Sequence, residues 1–101
     1  MQLFVIYWSI STGEDQLFAT KEFCRYLNEG KIDQQIDGIE LISIYHIPLE
    51  GTGVIICNAI SSKALYKVFN MWRTNFNITF TAKPALSNKD LLDSVNEDTI
   101  W

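Results

Sequence analysis

His46 is the one histidine in this chain of 101 residues. Its imidazole is therefore the side chain whose unperturbed pKa lies closest to neutrality. If the strand around it, IELISIYHI, presents Ile42, Ile44 and His46 on one face, they share that face with Asn58 and with Tyr7 or Trp8. Such a set has the chemistry of a general base in a polar-lined hollow. The alternative is that His46 ends a strand beside Pro48 and bonds only to backbone or water. Lys83 is either a solvated charge at a strand end or a partner for a carboxylate or carbonyl group. One histidine, two distant cysteines (Cys24 and Cys57) and scattered carboxylates do not make a metal-ligand set, so no metal is expected. Haem is disfavoured because His46, on a strand, would be its one axial ligand. Gly51-Thr52-Gly53 joins two strands with no helix N-terminus after it, which makes it a turn and not a phosphate cradle. No cofactor is expected.

These residues need elements to position them. SSKALYKVFNMWRTNFNITF, residues 61–80, reads as an amphipathic helix running directly into a strand. Leu65, Val68, Phe69, Trp72 and Phe76 form its apolar stripe, with Trp72 at the centre. Before it, residues 2–9 (QLFVIYWS) are apolar on both parities, as in a strand covered on both faces. Ser11 or Thr12 caps a helix near 14–29, with Glu14 or Asp15 completing a capping box. Leu17, Phe23, Cys24 and Leu27 mark its buried side, and Gly30 stops it. Residues 31–38 are a polar loop. Strands follow at 39–47 and 53–60, joined through Pro48–Thr52 as an antiparallel hairpin. Ser61 or Ser62 caps the second helix, 62–75, and 77–83 form the fourth strand, closed off by Pro84. Ser87 and Asp90 open a short acidic helix through Val95.

The order is β-α-β-β-α-β plus a C-terminal helix, an α+β chain of the ferredoxin-like type: two helices cover one face of a four-stranded antiparallel sheet and leave the other open. It is a single domain, 1–101, whose residues 87–101 are an acidic helix and tail. In the third strand Ile55, Cys57 and Ala59 are the apolar parity, destined for the helices. Val54, Ile56 and Asn58 then fall on the open face, as do Thr81 and Lys83 of the fourth strand. Branched side chains there call for a cover, and a homodimer pairing two such faces supplies it.

Composition narrows the partners. At 48% hydrophobic and 20% charged, the chain is apolar for its size, so part of that surface belongs in an interface. Of the net charge of −4, residues 87–101 carry −3, leaving a nearly neutral body. Without a basic stripe, nucleic acid and anionic membranes are disfavoured as partners. The apolar run 3–8 is too short to span a bilayer and lacks the basic flank of a signal peptide. The expectation is a cytoplasmic protein with two reduced, buried thiols.

LFVIYWSI at the start, His46 followed by the Gly51-Thr52-Gly53 turn, and ALYKVFNMWRTNFNITF ending in a proline strand resemble the DUF3303 group of dimeric α/β-barrel proteins, as far as Leu86. The resemblance implies a ferredoxin-like protomer whose sheet pairs with its twin's to enclose a barrel. The wider superfamily includes cofactor-free monooxygenases, isomerases, haem-binding proteins and members with no known activity. The resemblance therefore carries no catalytic assignment. Asn58 stands where its pattern leads one to expect an acidic side chain, which weakens an acid–base role there.

Three functions fit. In the first, the lumen binds a small apolar or amphipathic molecule, fatty-acid-like or aromatic, lined by Tyr7, Ile44, His46, Val54, Ile56, Asn58, Thr81 and Lys83. In the second, the lumen is a cofactor-free isomerase or monooxygenase site with His46 as the catalytic candidate. In the third, the barrel is filled by its own side chains and serves assembly.

Overall fold

The computed structural model describes residues 1–31 and 38–97. The greater part of the loop expected at 31–38, and the end of the tail, lie outside those residues. Strand β1 spans Gln2–Ile10, helix α1 Gly13–Asn28, strand β2 Ile39–Ile47, strand β3 Thr52–Ala59, helix α2 Ser62–Phe76, strand β4 Ile78–Ala85 and helix α3 Asn88–Glu97. The four strands form one antiparallel sheet in the order β2-β3-β1-β4, the arrangement expected of a ferredoxin-like α+β chain.

The helix ends follow from local chemistry. The Thr12 side chain accepts from the Asp15 amide at 3.1 Å while its hydroxyl donates to the Asp15 carboxylate at 2.7 Å. A cap of this kind contributes about 1 kcal/mol. Ser61 caps α2 through the Ala64 amide, and Ser87 caps α3 through the Asp90 amide, each at 3.1 Å. At the far end of α1, Gly30 adopts φ +71°; its N–H reaches the Leu27 carbonyl and that of Lys31 the Tyr26 carbonyl. This Schellman arrangement needs a left-handed residue, which glycine supplies without steric cost. Asn77, at φ 53°, plays that part after α2 and lets the chain enter β4 at once.

The core lies between the sheet and α2. Phe4 and Ile6 of β1, Ile39 of β2, Ile55, Cys57 and Ala59 of β3, and Ala64 and Leu65 of α2 form one buried cluster, with Val68 and Phe69 packed against it. Ile10, Ala19 and Ile78 form a second, flanked by Trp8, Trp72 and Phe76. The helix stripe therefore works as its spacing implies, but Trp72 is only half-buried.

Four expectations are corrected. Strand β4 continues through Pro84 to Ala85. It is an edge strand with one unpaired side, and there a residue without an N–H is tolerated. On α1 the inward residues are Ala19, Phe23 and Tyr26, while Leu17, Cys24 and Leu27 are exposed. The helix is apolar on more than one side, and the docking angle chose among them. Of the two thiols, both free, Cys57 is buried and Cys24 is not. The fourth correction concerns β2. Leu41 pairs with Cys57 and Ser43 with Ile56, so Ile42 is an extra residue with no partner. This bulge reverses the parity of the rest of the strand. Ile44 pairs with Ile55 and His46 with Gly53, and both lie on the helix-covered face, not on the open one.

Candidate functional site

Six of the eight residues expected together do share the open face: Tyr7, Val54, Ile56, Asn58, Thr81 and Lys83 alternate with the buried positions of β1, β3 and β4. The Lys83 ammonium sits over the Tyr7 ring, 5.4 Å from its centre. Asn58 Nδ2 donates to the Glu40 carboxylate at 3.4 Å. None of the six borders the large cavity of the chain. On the open side they form a broad surface with Tyr45, which is 59% exposed.

The cavity lies on the other side, between the sheet and the two long helices, as a half-open hollow of about 790 Å³. Its inner end is aromatic. Trp8 of β1 and Phe23 of α1 meet His46 of β2 there, Trp72 of α2 packs on Phe23, and Phe80 of β4 lines the cavity farther across the sheet. The imidazole meets the Phe23 ring edge-on at 4.8 Å and the Trp8 ring at 5.6 Å. Trp72 touches Phe23 at 6.2 Å and Tyr26 at 5.5 Å, tying the two helices across the top. Edge-to-face pairs of this kind are each worth about 1 kcal/mol beyond their burial.

Gly53 is what lets this end form. A Cβ at that position would fall on the six-membered ring of Trp8 and crowd the Tyr45 carbonyl, so the indole packs directly against the bare Gly53 backbone. Ala19 on α1 is small as well. Farther along, the cavity wall is aliphatic, from Ile39, Ile44 and Val68, with the Cys57 thiol among them. Burial pushes that thiol up, away from thiolate, which makes it a poor nucleophile.

His46 keeps an exposed edge, and partial desolvation on its cavity side pushes its pKa below the ordinary 6.5, so the ring is neutral at pH 7. It then presents one N–H donor and one bare nitrogen. No hydrogen bond to either is made by the described residues. His46 thus combines an apolar aromatic collar with free hydrogen-bonding capacity at the wall of a cavity. A neutral imidazole there can donate to a hydroxyl or carbonyl oxygen, or accept a proton from a hydroxyl group.

His46 is the chemically distinctive residue that the sequence singles out, but its companions are not the ones expected. Phe23 and Trp72 were legible as inward-facing helix residues, and Trp8 as the face opposite Tyr7. Their meeting with His46 was hidden by the bulge at Ile42. Among the described residues no group of three or more histidine, cysteine or acidic side chains is placed to hold a metal ion. No helix among them is long and apolar enough to cross a membrane.

The sequence model of a domain of unknown function, DUF3303, matches residues 2–98. The chain belongs to that family. The match runs beyond Leu86 and takes in α3. No curated protein and no solved structure matches the chain.

Proposed function

We propose that this DUF3303 chain is a binding module for a small apolar or amphipathic molecule, held in the cavity between the sheet and the helices. The supporting observation is the 790 Å³ hollow with aromatic and aliphatic walls and one neutral, uncommitted imidazole. That volume falls within the range of ordinary ligand pockets, and an apolar lining with few convergent polar groups is their usual composition. The open face takes a different role from the one its residues first suggested. It is the surface that a second copy covers, in a homodimer of the dimeric α/β-barrel kind, because Tyr7, Val54 and Ile56 are unfavourable in water.

Native mass spectrometry of freshly purified protein, followed by extraction, tests the binding reading. The expected result is a dimer carrying a small organic molecule, whose removal changes the fluorescence of Trp8 and Trp72. Tryptophan emission indifferent to every apolar or aromatic compound tried would end it.

A second reading keeps the same cavity but makes it a cofactor-free isomerase or monooxygenase site. The neutral imidazole favours it, being able to take a proton from a bound acid. His46→Ala separates the two. A binder keeps its ligand with modest loss, whereas an acid–base enzyme loses turnover by about two to four orders of magnitude.

A further inference from the structure

The polar groups around the cavity are unevenly distributed. Its inner end is aromatic, whereas the other end is bordered by Lys31 after α1, Glu40 to Ile42 on β2, and Lys67 and Met71 on α2. Of the three charged residues there, two are cations. The third, Glu40, pairs with Asn58 across the β2–β3 ladder and accepts a hydrogen bond from its amide at 3.4 Å, which turns the carboxylate toward the open face. Lys31 is already engaged: its ammonium is 2.9 Å from the Glu29 carboxylate and lies over the Tyr26 ring. Lys67 forms no ion pair with any described residue. Its flexible four-carbon stem leaves the ammonium free to swing over the opening. Among the described residues the cavity therefore has an apolar interior and, at this end, one lysine without an ion pair, in a chain whose net charge is −4.

We propose that the molecule this cavity takes is an amphipathic anion, with its aromatic or alkyl body among Trp8, Phe23, Trp72 and Phe80 and a carboxylate-type head beside Lys67 at the mouth. The inference rests on the reading of the cavity as a ligand site and adds the sign and position of the ligand's charge. A carboxylate head is matched by an ammonium that can reach it at the edge of water, so neither charge has to be fully desolvated. Among the described residues, a cationic head would meet the Lys67 ammonium and no carboxylate turned toward the cavity.

A matched pair of fluorescent probes tests the charge separately from the cavity. 1-Anilinonaphthalene-8-sulfonate carries one anionic group, and N-phenyl-1-naphthylamine is the same aromatic body without it. Both are titrated into the full chain, the Lys67→Ala variant and the Ile44→Phe variant, whose larger side chain narrows the cavity at its wall. The expected result is tighter binding of the sulfonate by the native chain, weakened by added salt. Lys67→Ala should lower that affinity about tenfold and leave the neutral probe unchanged. Ile44→Phe should shift the affinity for both probes alike.

Equal affinity for the two probes, or a Lys67→Ala variant that binds the sulfonate as well as the native chain, overturns the anion and leaves the cavity standing. Failure of both probes to bind, or affinities for both that Ile44→Phe leaves unchanged, overturns the cavity itself. Displacement of the sulfonate by decanoate or by 2-naphthoate then shows whether an alkyl or an aromatic body is preferred.

Discussion

At the scale of single residues, the site turns on one imidazole and one missing side chain. Burial lowers the His46 pKa below the 6.5 of the unfolded chain. Between the two values the unfolded state binds the proton and the folded state does not. The stability associated with neutral His46 is thus present above pH 6.5 and is lost as pH falls through the folded pKa. Urea midpoints measured from pH 7.5 down to about 5 should decline for the native chain and stay flatter for His46→Gln; parallel curves would show that the ring is not desolvated. Carboxylates held low by basic neighbours, Glu22 by Arg25 and Glu29 by Lys31 and Arg25, titrate below that window. Gly53 is the complementary case. Gly53→Ala puts a Cβ where the Trp8 ring lies, so the expected outcome is a loss of about 1–3 kcal/mol and a shift in tryptophan emission. A variant of native stability and unaltered spectrum would show that the indole does not rest on that backbone.

At the scale of elements, α2 and β2 behave in opposite ways. The apolar stripe of α2 is regular and packs as its spacing dictates, from Leu65 to Phe76. Trp72 is half-buried because it roofs a cavity instead of filling a core, with Phe23, Tyr26 and Phe76 rings around it. Trp72→Ala should accordingly cost about 2 kcal/mol in urea unfolding, less than truncation of a fully buried tryptophan. A loss of about 4 kcal/mol or more, in the range of fully buried aromatics, would mean that the cavity is closed over it. Strand β2, by contrast, carries apolar side chains on both parities: Ile39 and Leu41 before the bulge, Ile42, Ile44 and Ile47 after it begins. Nothing in that pattern says where a residue is skipped. The bulge costs Ile42 its partner and delivers His46 to the cavity.

For the whole molecule, one sheet face is covered by helices and the other is not. In addition α3 exposes Leu91, Leu92 and Val95. If a second copy covers the open face, Ile56→Asp, which places a charge in its middle, should convert a dimer into a monomer in sedimentation with an unchanged circular dichroism spectrum. A variant that stays dimeric would move the interface elsewhere, with α3 as the next surface to test.

The element order, the caps and stops, the stripe of α2 and the face assignment of β3 and β4 were legible in the residues alone, whereas β1, apolar on both parities, left Tyr7 and Trp8 interchangeable. Each of these rests on interactions between near neighbours in the chain or on a strict period of two or 3.6 residues. His46 stood out at that level too. Three outcomes belong to the packed chain instead: which side of α1 turns inward, how far β4 continues past Pro84, and on which face of the sheet His46 lies. They depend on distant partners, namely an unpaired strand edge, a docking angle between helix and sheet, and a one-residue slip in the β2–β3 ladder. A slip of one residue leaves local propensity almost unchanged yet exchanges the two faces of a strand. It therefore leaves no mark in the sequence, while in the fold it moves the imidazole from the open sheet face to the wall of an aromatic-lined cavity.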